Sequence, residues 1–271
     1  MKSKFWADYT ASEIAELDKS NLVVVLPVGA IEQHGPHLPV CVDQAILDGL
    51  IAATIPKLNN DLRVLFLPTI PIGKSDEHIS YAGTLTLTAE TVMQVWREIG
   101  DSIARAGVER LVILNSHGGQ IAPMDIVARD LRRRHGMIVV AASWFAMGLP
   151  KGLFEPDEER FGLHAGDMET SVMLALRPDL VEMTKAANFV PLAKRIETQN
   201  ELVGLNPGGK LAWIAEDQHP SGACGNAGAA TVEKGVAVIE HAVAEIGKLL
   251  CEVASLDKNA VIASTTPDLG L

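Results

Sequence analysis

Aromatic residues are scarce in this chain, with six Phe, four Trp and two Tyr among 271 residues. Cysteine is scarcer still. Cys41, Cys224 and Cys251 lie far apart with no C-x-x-C spacing, which excludes a disulfide framework and a zinc finger. No uncharged apolar stretch reaches the roughly 18 residues that a spanning helix needs. Residues Met1 to Ser12 are polar and lack the apolar centre and cleavage site of a signal peptide. A cytoplasmic protein with no membrane partner is therefore expected. Positive charge is also in short supply: 23 basic residues face 34 acidic ones, a formal charge of −11. The longest basic run is Arg132-Arg133-Arg134, too little for a surface that tracks nucleic-acid phosphates. The expected partner is a small molecule.

The remaining composition is that of a globular protein, with 48% hydrophobic and 21% charged residues. A chain of this length buries roughly 70–75% of the surface it exposes when unfolded, so a substantial core is available. Short β-branched runs alternate with longer helical patterns, which predicts an α/β fold: a three-layer α/β/α sandwich around a mainly parallel sheet. The strands are expected at Leu22 to Leu26, Arg63 to Leu67, Leu111 to Leu114 and Met137 to Ala141. Helices are expected at Asp43 to Thr54, Thr88 to Ala106, Ile121 to His135, Gly166 to Leu176 and Thr231 to Val253. The Gly-, Asn- and Pro-rich stretch from Glu197 to Ala230 reads as an excursion within one domain. That domain is expected to span residues 1–256, followed by a loose tail over 257–271.

Chemistry-bearing residues collect in the joints after strands. In an open parallel sheet, the joints at the carboxyl ends of the strands share one edge, so residues distant in sequence converge there. The first joint contains Glu32 and His34 at a spacing that points both side chains the same way in extended chain, followed by His37 and Asp43. Asp43 stands at the head of a helix, where a carboxylate either caps backbone amides or reaches a cation. The second joint, Asn115 to Gln120, presents His117 before two glycines; a buried histidine there is either a core residue or a metal ligand. The third, His164 to Ser171, places Glu169 in the first turn of a helix, where the dipole alone would account for it. Taken together, Glu32, His34, Asp43, His117 and Glu169 supply three carboxylates and two imidazoles, a donor set that suits Zn, Mn or Fe. Two divalent ions would be balanced by three carboxylates and one hydroxide. The expected arrangement has one ion on Glu32 and His117, the other on His34 and Glu169, and Asp43 between them.

The blocks Gly29 to Pro39 with Asp43, Asn115 to Gly119, and His164 to Ser171 resemble, in the same order, the signature segments of the creatininase (creatinine amidohydrolase) family. The resemblance spans about residues 20–250. It implies an α/β/α fold, a dinuclear metal centre, hydrolysis of amide bonds in small and often cyclic molecules, and a homo-oligomer, commonly a hexamer. Two departures stand out. Creatininase has a metal-binding glutamate two residues after the histidine that matches His117, where this chain has Gly119; Glu169, which matches a glutamate of many family members, is expected to take its place. Arg160, Phe161 and Gly162 stand where creatininase has a tryptophan-rich lid, which points away from creatinine as substrate.

The implied reaction is that of a creatininase-like metal amidohydrolase (EC 3.5 type), in which a metal-bridged hydroxide attacks the amide carbonyl. His164 and Glu169 are the catalytic candidates, with His164 resembling the family's catalytic histidine and serving as proton shuttle. Ser75 and His78, in a loop that resembles the family's substrate-side loop, and Trp144 are candidates for substrate contact. His37 is a candidate to orient a ligand from behind. The alternatives are a formamide hydrolase acting on a pterin- or flavin-precursor-like substrate, which the family is similarly known to include alongside a peptide-processing protease, and a non-catalytic metal-containing binder.

Overall fold

A computed structural model describes residues 1–205 and 208–261. In chain order the main elements are α1 (Ala11–Glu16), β1 (Val23–Val28), α2 (Val42–Thr54), β2 (Val64–Phe66), α3 (Ala89–Arg105), β3 (Arg110–Asn115), α4 (Ile121–His135) and β4 (Ile138–Ser143). They are followed by α5 (Pro156–Phe161), α6 (Asp167–Leu176), β5 (Asn188–Phe189), α7 (Leu192–Gln199), α8 (Ala215–Gln218), β6 (Gly225–Asn226), α9 (Val232–Ser255) and α10 (Lys258–Val261).

The central sheet has the order β2-β1-β3-β4 and every pairing in it is parallel. Alternate residues of each strand enter opposite layers, as the period of two requires. Val23, Val25, Val64, Phe66, Val112 and Leu114 pack with Ile46, Leu50, Val172, Met173, Val243 and Ile246 of α2, α6 and α9. Val24, Leu26, Leu65, Leu111 and Ile113 pack on the other face with Val92, Trp96, Met124, Val127 and Leu131 of α3 and α4. The protein is thus a parallel sheet with helices on both sides, as expected from the alternation of strand and helix patterns.

The four strands and five long helices lie within a few residues of their predicted bounds. The short elements escape the pattern. Helix α1 is stabilised by a capping box in which Thr10 and Glu13 satisfy each other's backbone amides. Within the Gly-rich excursion lie α8 and β6, the latter pairing antiparallel with β5. Where a tail was expected from residue 257, α10 forms one more turn, and Lys258 pairs with Glu109. Residues 262–271 lie outside the described residues.

The register aligns the ends of three strands: Val28 stands beside Asn115, and Asn115 beside Ser143. The chain segments that leave these ends, Gly29 onward, Ser116-His117 and Trp144 onward, therefore emerge along one edge. Helix α6 is brought to that edge by α9, which crosses it so closely that a β-carbon on Gly235 would fall on the Ser171 carbonyl. Gly235→Ala should therefore lower stability by about 1–3 kcal/mol, the range for overpacking a rigid contact. Urea denaturation measures this, and an unchanged midpoint would show that the two helices part without cost.

Candidate metal centre

Each joint is held in place by its own side chains. In the second joint, Asn115 Oδ1 accepts from the His117 amide at 2.9 Å, while its Nδ2 donates to the His117 carbonyl at 2.7 Å and to Ser143 Oγ at 3.0 Å. This loop of bonds turns the chain at the end of β3 and aims the His117 ring inward. Gln120, fully buried, ties this joint to the first by donating to Gly29 O at 3.1 Å and Asn115 Oδ1 at 2.9 Å. In the third joint, Ala165 adopts a left-handed backbone (φ 55°), which a non-glycine residue enters at a cost of about 1–3 kcal/mol. Its amide then donates to the Glu169 carboxylate one turn into α6.

The structure brings Glu32, His34, Asp43, His117 and Glu169 together. Glu32 Oε2 lies 3.2 Å and Asp43 Oδ2 lies 3.9 Å from His117 Nδ1. His34 Nε2 stands 4.0 Å from both Glu32 Oε1 and Asp43 Oδ2. Glu32, Asp43 and His117 form one group whose donor atoms lie within 4.8 Å of one another, and His34, Asp43 and Glu169 form a second that shares Asp43. A third, Glu32, His34 and His164, overlaps both. Such spacings suit ligands about 2 Å from a common ion.

Backbone carbonyls fix the histidine tautomers, because a carbonyl only accepts and the ring nitrogen facing it must carry the proton. His34 Nδ1 donates to Glu32 O at 3.0 Å, His117 Nε2 to Lys74 O at 2.8 Å and His164 Nε2 to Gln33 O at 2.6 Å. The opposite nitrogens of His34 and His117 are left facing the carboxylates as lone-pair donors. Glu32 Oε1 and Oε2, His34 Nε2 and Asp43 Oδ2 are buried without a hydrogen-bond partner. Buried polar atoms are almost always satisfied, so four orphans aimed at one another are the mark of a cation site.

The electrostatics agree. Burial raises Asp43 well above the usual carboxylate range, and the Glu32 and Glu169 charges push it further. Burial also raises Glu169. Burial opposes a charge on His117, yet Glu32, Asp43 and Glu77 outweigh it and hold this ring up to about 10. The carboxylates of the cluster thus favour a positive partner beside them.

Other sequence candidates fall around this centre in different ways. His78 is buried at its edge, with Nδ1 on Gln33 Nε2 at 2.7 Å and Nε2 3.5 Å from Glu32 Oε1. Ser75 is fully buried behind His117, its Oγ 3.3 Å from Nε2, and so touches a cluster residue and not the cavity. Trp144 is likewise buried, bonded through Nε1 to Ser116 Oγ at 3.0 Å, and lines neither cavity at the site. Its indole belongs to the core, in the cluster that holds Val112, Leu114 and Phe154. His37 bonds Thr170 Oγ1 at 2.9 Å and stacks on Phe189, joining the first joint to α6 without touching His34.

Two cavities meet over the cluster, sharing Glu32, His117 and His164. The larger, about 760 Å³, is walled by Lys74, Glu77, Leu211, Trp213 and Ile214. The smaller, about 300 Å³, reaches Asp43 and Glu169 and is walled by Phe145, Phe154 and Met168.

The sequence-wide comparison matches the family model "Creatinine amidohydrolase" over residues 7–250. The chain belongs to the creatininase family. Its relatives include the mycofactocin precursor peptide peptidase of Mycobacterium ulcerans, 32% identical over 219 residues that make up 78% of either chain. They also include the creatinine amidohydrolase of Pseudomonas putida, 30% identical over 206 residues covering 69% of this chain and 75% of that one. The crystal structure of a creatinine amidohydrolase (creatininase) superposes with a TM-score of 0.71 at 25% identity, covering 95% of this chain and all of the other. Creatininase-family membership makes the chain a hydrolase with a metal-binding cluster of His, Glu and Asp.

Glu158, Glu77, Gln33 and Trp213 were not legible as site residues. Buried Glu158 accepts from the Asp167 and Asn226 amides, both at 2.7 Å, and so anchors the start of α6, the helix of Glu169. Glycines at 162, 166 and 225 crowd its carboxylate, and they are its one trace in the sequence. Gln33 lies inside the first joint, but its bonds to His78 and Gly222 O come from residues far along the chain.

His37 generates a test by pH. Burial lowers its pKa to about 4, outweighing the Ala165 carbonyl that favours the charged ring. The unfolded chain protonates near pH 6.5, so between pH 6.5 and 4 it binds a proton that the folded chain refuses. Stability therefore falls on acidification through that window and is fully present above it. The loss is up to about 3 kcal/mol for this group. His37→Gln should lose less stability between pH 7 and 4.5 than the unaltered protein in paired urea titrations in chelator. Equal losses would remove His37 from the acid response.

Proposed function

We propose that this protein is a dinuclear metal-dependent amidohydrolase that cleaves the C–N bond of an amide held where the two cavities meet. The observation that carries this reading is the pair of donor groups sharing Asp43, with orphaned Glu32, His34 and Asp43 atoms between them. Glu32, Asp43 and His117 would hold one ion, and His34, Asp43 and Glu169 the other. When bound, divalent ions of the Zn, Mn or Fe type supply a water acidic enough to ionise near neutrality and a positive charge for the substrate carbonyl. Creatininase structures in a manganese form and in a Zn-Zn form support this choice of metals.

The chain's own groups then account for binding and proton movement. His164 lines both cavities and keeps its Nε2 proton on Gln33 O, so Nδ1, 3.6 Å from Glu32 Oε1, is the nitrogen free to take a proton and pass it to the leaving amine. Phe145, Phe154 and Met168 form an apolar recess beside the cluster for one side of the substrate. Trp213, Leu211 and Ile214 offer a broader wall to the other. Cavities of this size take molecules larger than one small ring. That favours an extended amide, in keeping with a relative that acts on a precursor peptide.

Metal analysis joined to an amide-hydrolysis screen tests the proposal. The purified protein should carry about two divalent ions per chain, by the pairing of donor groups and the balance of carboxylate and cation charge. Glu32→Gln should lose metal and activity together. His164→Gln should retain metal and fall in turnover on the order of a hundredfold or more, the usual worth of a positioned acid–base group. Full activity in excess chelator would remove metal from the reaction, and full turnover in His164→Gln would remove the shuttle.

A further inference from the structure

The side-chain amide of Gln33 is held in one orientation from both ends. Its Oε1 accepts from the Gly35 amide at 2.9 Å and its Nε2 donates to Gly222 O at 3.0 Å, so exchanging oxygen and nitrogen would set donor against donor and acceptor against acceptor. Gly222 lies in the left-handed region (φ +78°), and a β-carbon there would fall on this amide. The second Nε2 proton goes to His78 Nδ1 at 2.7 Å. An amide nitrogen only donates, so Nδ1 is the bare nitrogen of His78 and Nε2 carries the ring proton.

His78 is therefore turned in the opposite sense from its neighbours. His34, His117 and His164 give their protons to backbone carbonyls and face the cluster with lone pairs. His78 faces it with an N–H. Its ring stacks on His164, centroids 4.4 Å apart, and lines the larger cavity together with Glu32, His117 and His164. His78 Nε2 stands 3.5 Å and His164 Nδ1 stands 3.6 Å from the same oxygen, Glu32 Oε1. The first of these is too long for a full hydrogen bond, and His78 Nε2 makes no other among the described residues. A proton donor and a proton acceptor thus converge on one point beside the cluster, and the donor still lacks a close partner.

We propose that His78 is a second catalytic histidine, its Nε2–H donating to the carbonyl oxygen of the amide substrate, and that the Gln33 side chain is the positioning residue that keeps the proton on that nitrogen. This rests on the dinuclear hydrolase reading above. Amide cleavage needs an imidazole of each sense. As water attacks the carbonyl carbon, a C–O bond forms and an electron pair moves onto the carbonyl oxygen, where an N–H fixed in advance stabilises the growing charge. The proton given up by the water passes to His164 Nδ1 and on to the leaving nitrogen as the C–N bond breaks. His78 keeps its own proton throughout. A ring in the other tautomer would set a lone pair against the oxygen, and the Gln33 amide removes that choice.

The test joins imidazole nitrogen–proton correlation spectra of the zinc-loaded protein to calorimetric titration with methylphosphonate, a tetrahedral anion that stands in for the charged oxygen. Zinc content and circular dichroism are recorded for each variant. In the unaltered chain His78 should show a protonated Nε2 and a bare Nδ1. Gln33→Glu should move that proton to Nδ1, because a carboxylate accepts where the amide donated. His78→Leu should keep its zinc and bind methylphosphonate about ten- to a hundredfold more weakly, the worth of one hydrogen bond to a charged group. His78→Gln, which restores an N–H of similar reach, should bind it more tightly than His78→Leu. A protonated Nδ1 in the unaltered chain, loss of zinc in His78→Leu, equal binding by the Leu and Gln variants, or no binding of the probe by the loaded unaltered chain would each overturn the assignment and leave the dinuclear reading standing. No zinc uptake by the unaltered chain would overturn both.

Discussion

Three carboxylates buried within a few ångströms of one another repel, and burial makes each of them costly. Glu32, Asp43 and Glu169 are placed in that position, and much of the architecture around them is what such a placement demands. The parallel sheet brings the joints to one edge, Asn115 and Gln120 lock two of them, and Glu158 pins the start of the helix that carries Glu169. None of this relieves the repulsion. Only a positive charge does, and the pressure that Glu32, Asp43 and Glu77 put on His117 to stay charged runs in that direction. A ligand that binds only the folded state stabilises it, so a cation held by this cluster would stabilise the fold.

The parts of this design that are legible in the sequence are those written in short-range pattern. Apolar strands buried on both faces show as continuous runs, and long amphipathic helices show their period, so β1 to β4 and the five long helices are recovered nearly to their ends. The clustering of Glu32, His34, Asp43, His117 and Glu169 is legible because each sits in a joint after a strand or in the first turn of the helix that follows, and a parallel sheet brings its joints together. Trp144 misleads for a local reason: it follows a strand end like His117, yet it lacks the Asn-directed turn that aims a side chain at the edge, and its indole finds Ser116 instead.

Residues that act through long-range contact leave no such trace. Glu158 is a charge in a Pro-Asp-Glu-Glu-Arg stretch that reads as solvent-facing, and its burial depends on amides from α6 and β6 that only tertiary structure supplies. Glu77 is adjacent to His78 in sequence, but its carboxylate meets Gly119 and His117 only in the folded chain. Glycine at 119 reads locally as close approach of the backbone, and nothing in the sequence says which side chain approaches it. Trp213 is legible as an aromatic within a Gly- and Pro-rich stretch, but nothing local orients that stretch toward the cavity.

Chemistry and specificity are encoded in different parts of the chain. The rings of His34, His117 and His164 are oriented by the backbone carbonyls of Glu32, Lys74 and Gln33, which no side-chain substitution removes directly. Much of the cavity wall comes from segments outside the three joints: Phe145 after β4, Phe154 before α5, and Leu211 to Ile214 ahead of α8. That separation is consistent with relatives named for creatinine and for a precursor peptide both aligning with this chain at about 30% identity. It also locates the information that would identify the substrate of this chain, in the apolar recess and the Trp213 wall and not in the metal-binding blocks that make the family recognisable.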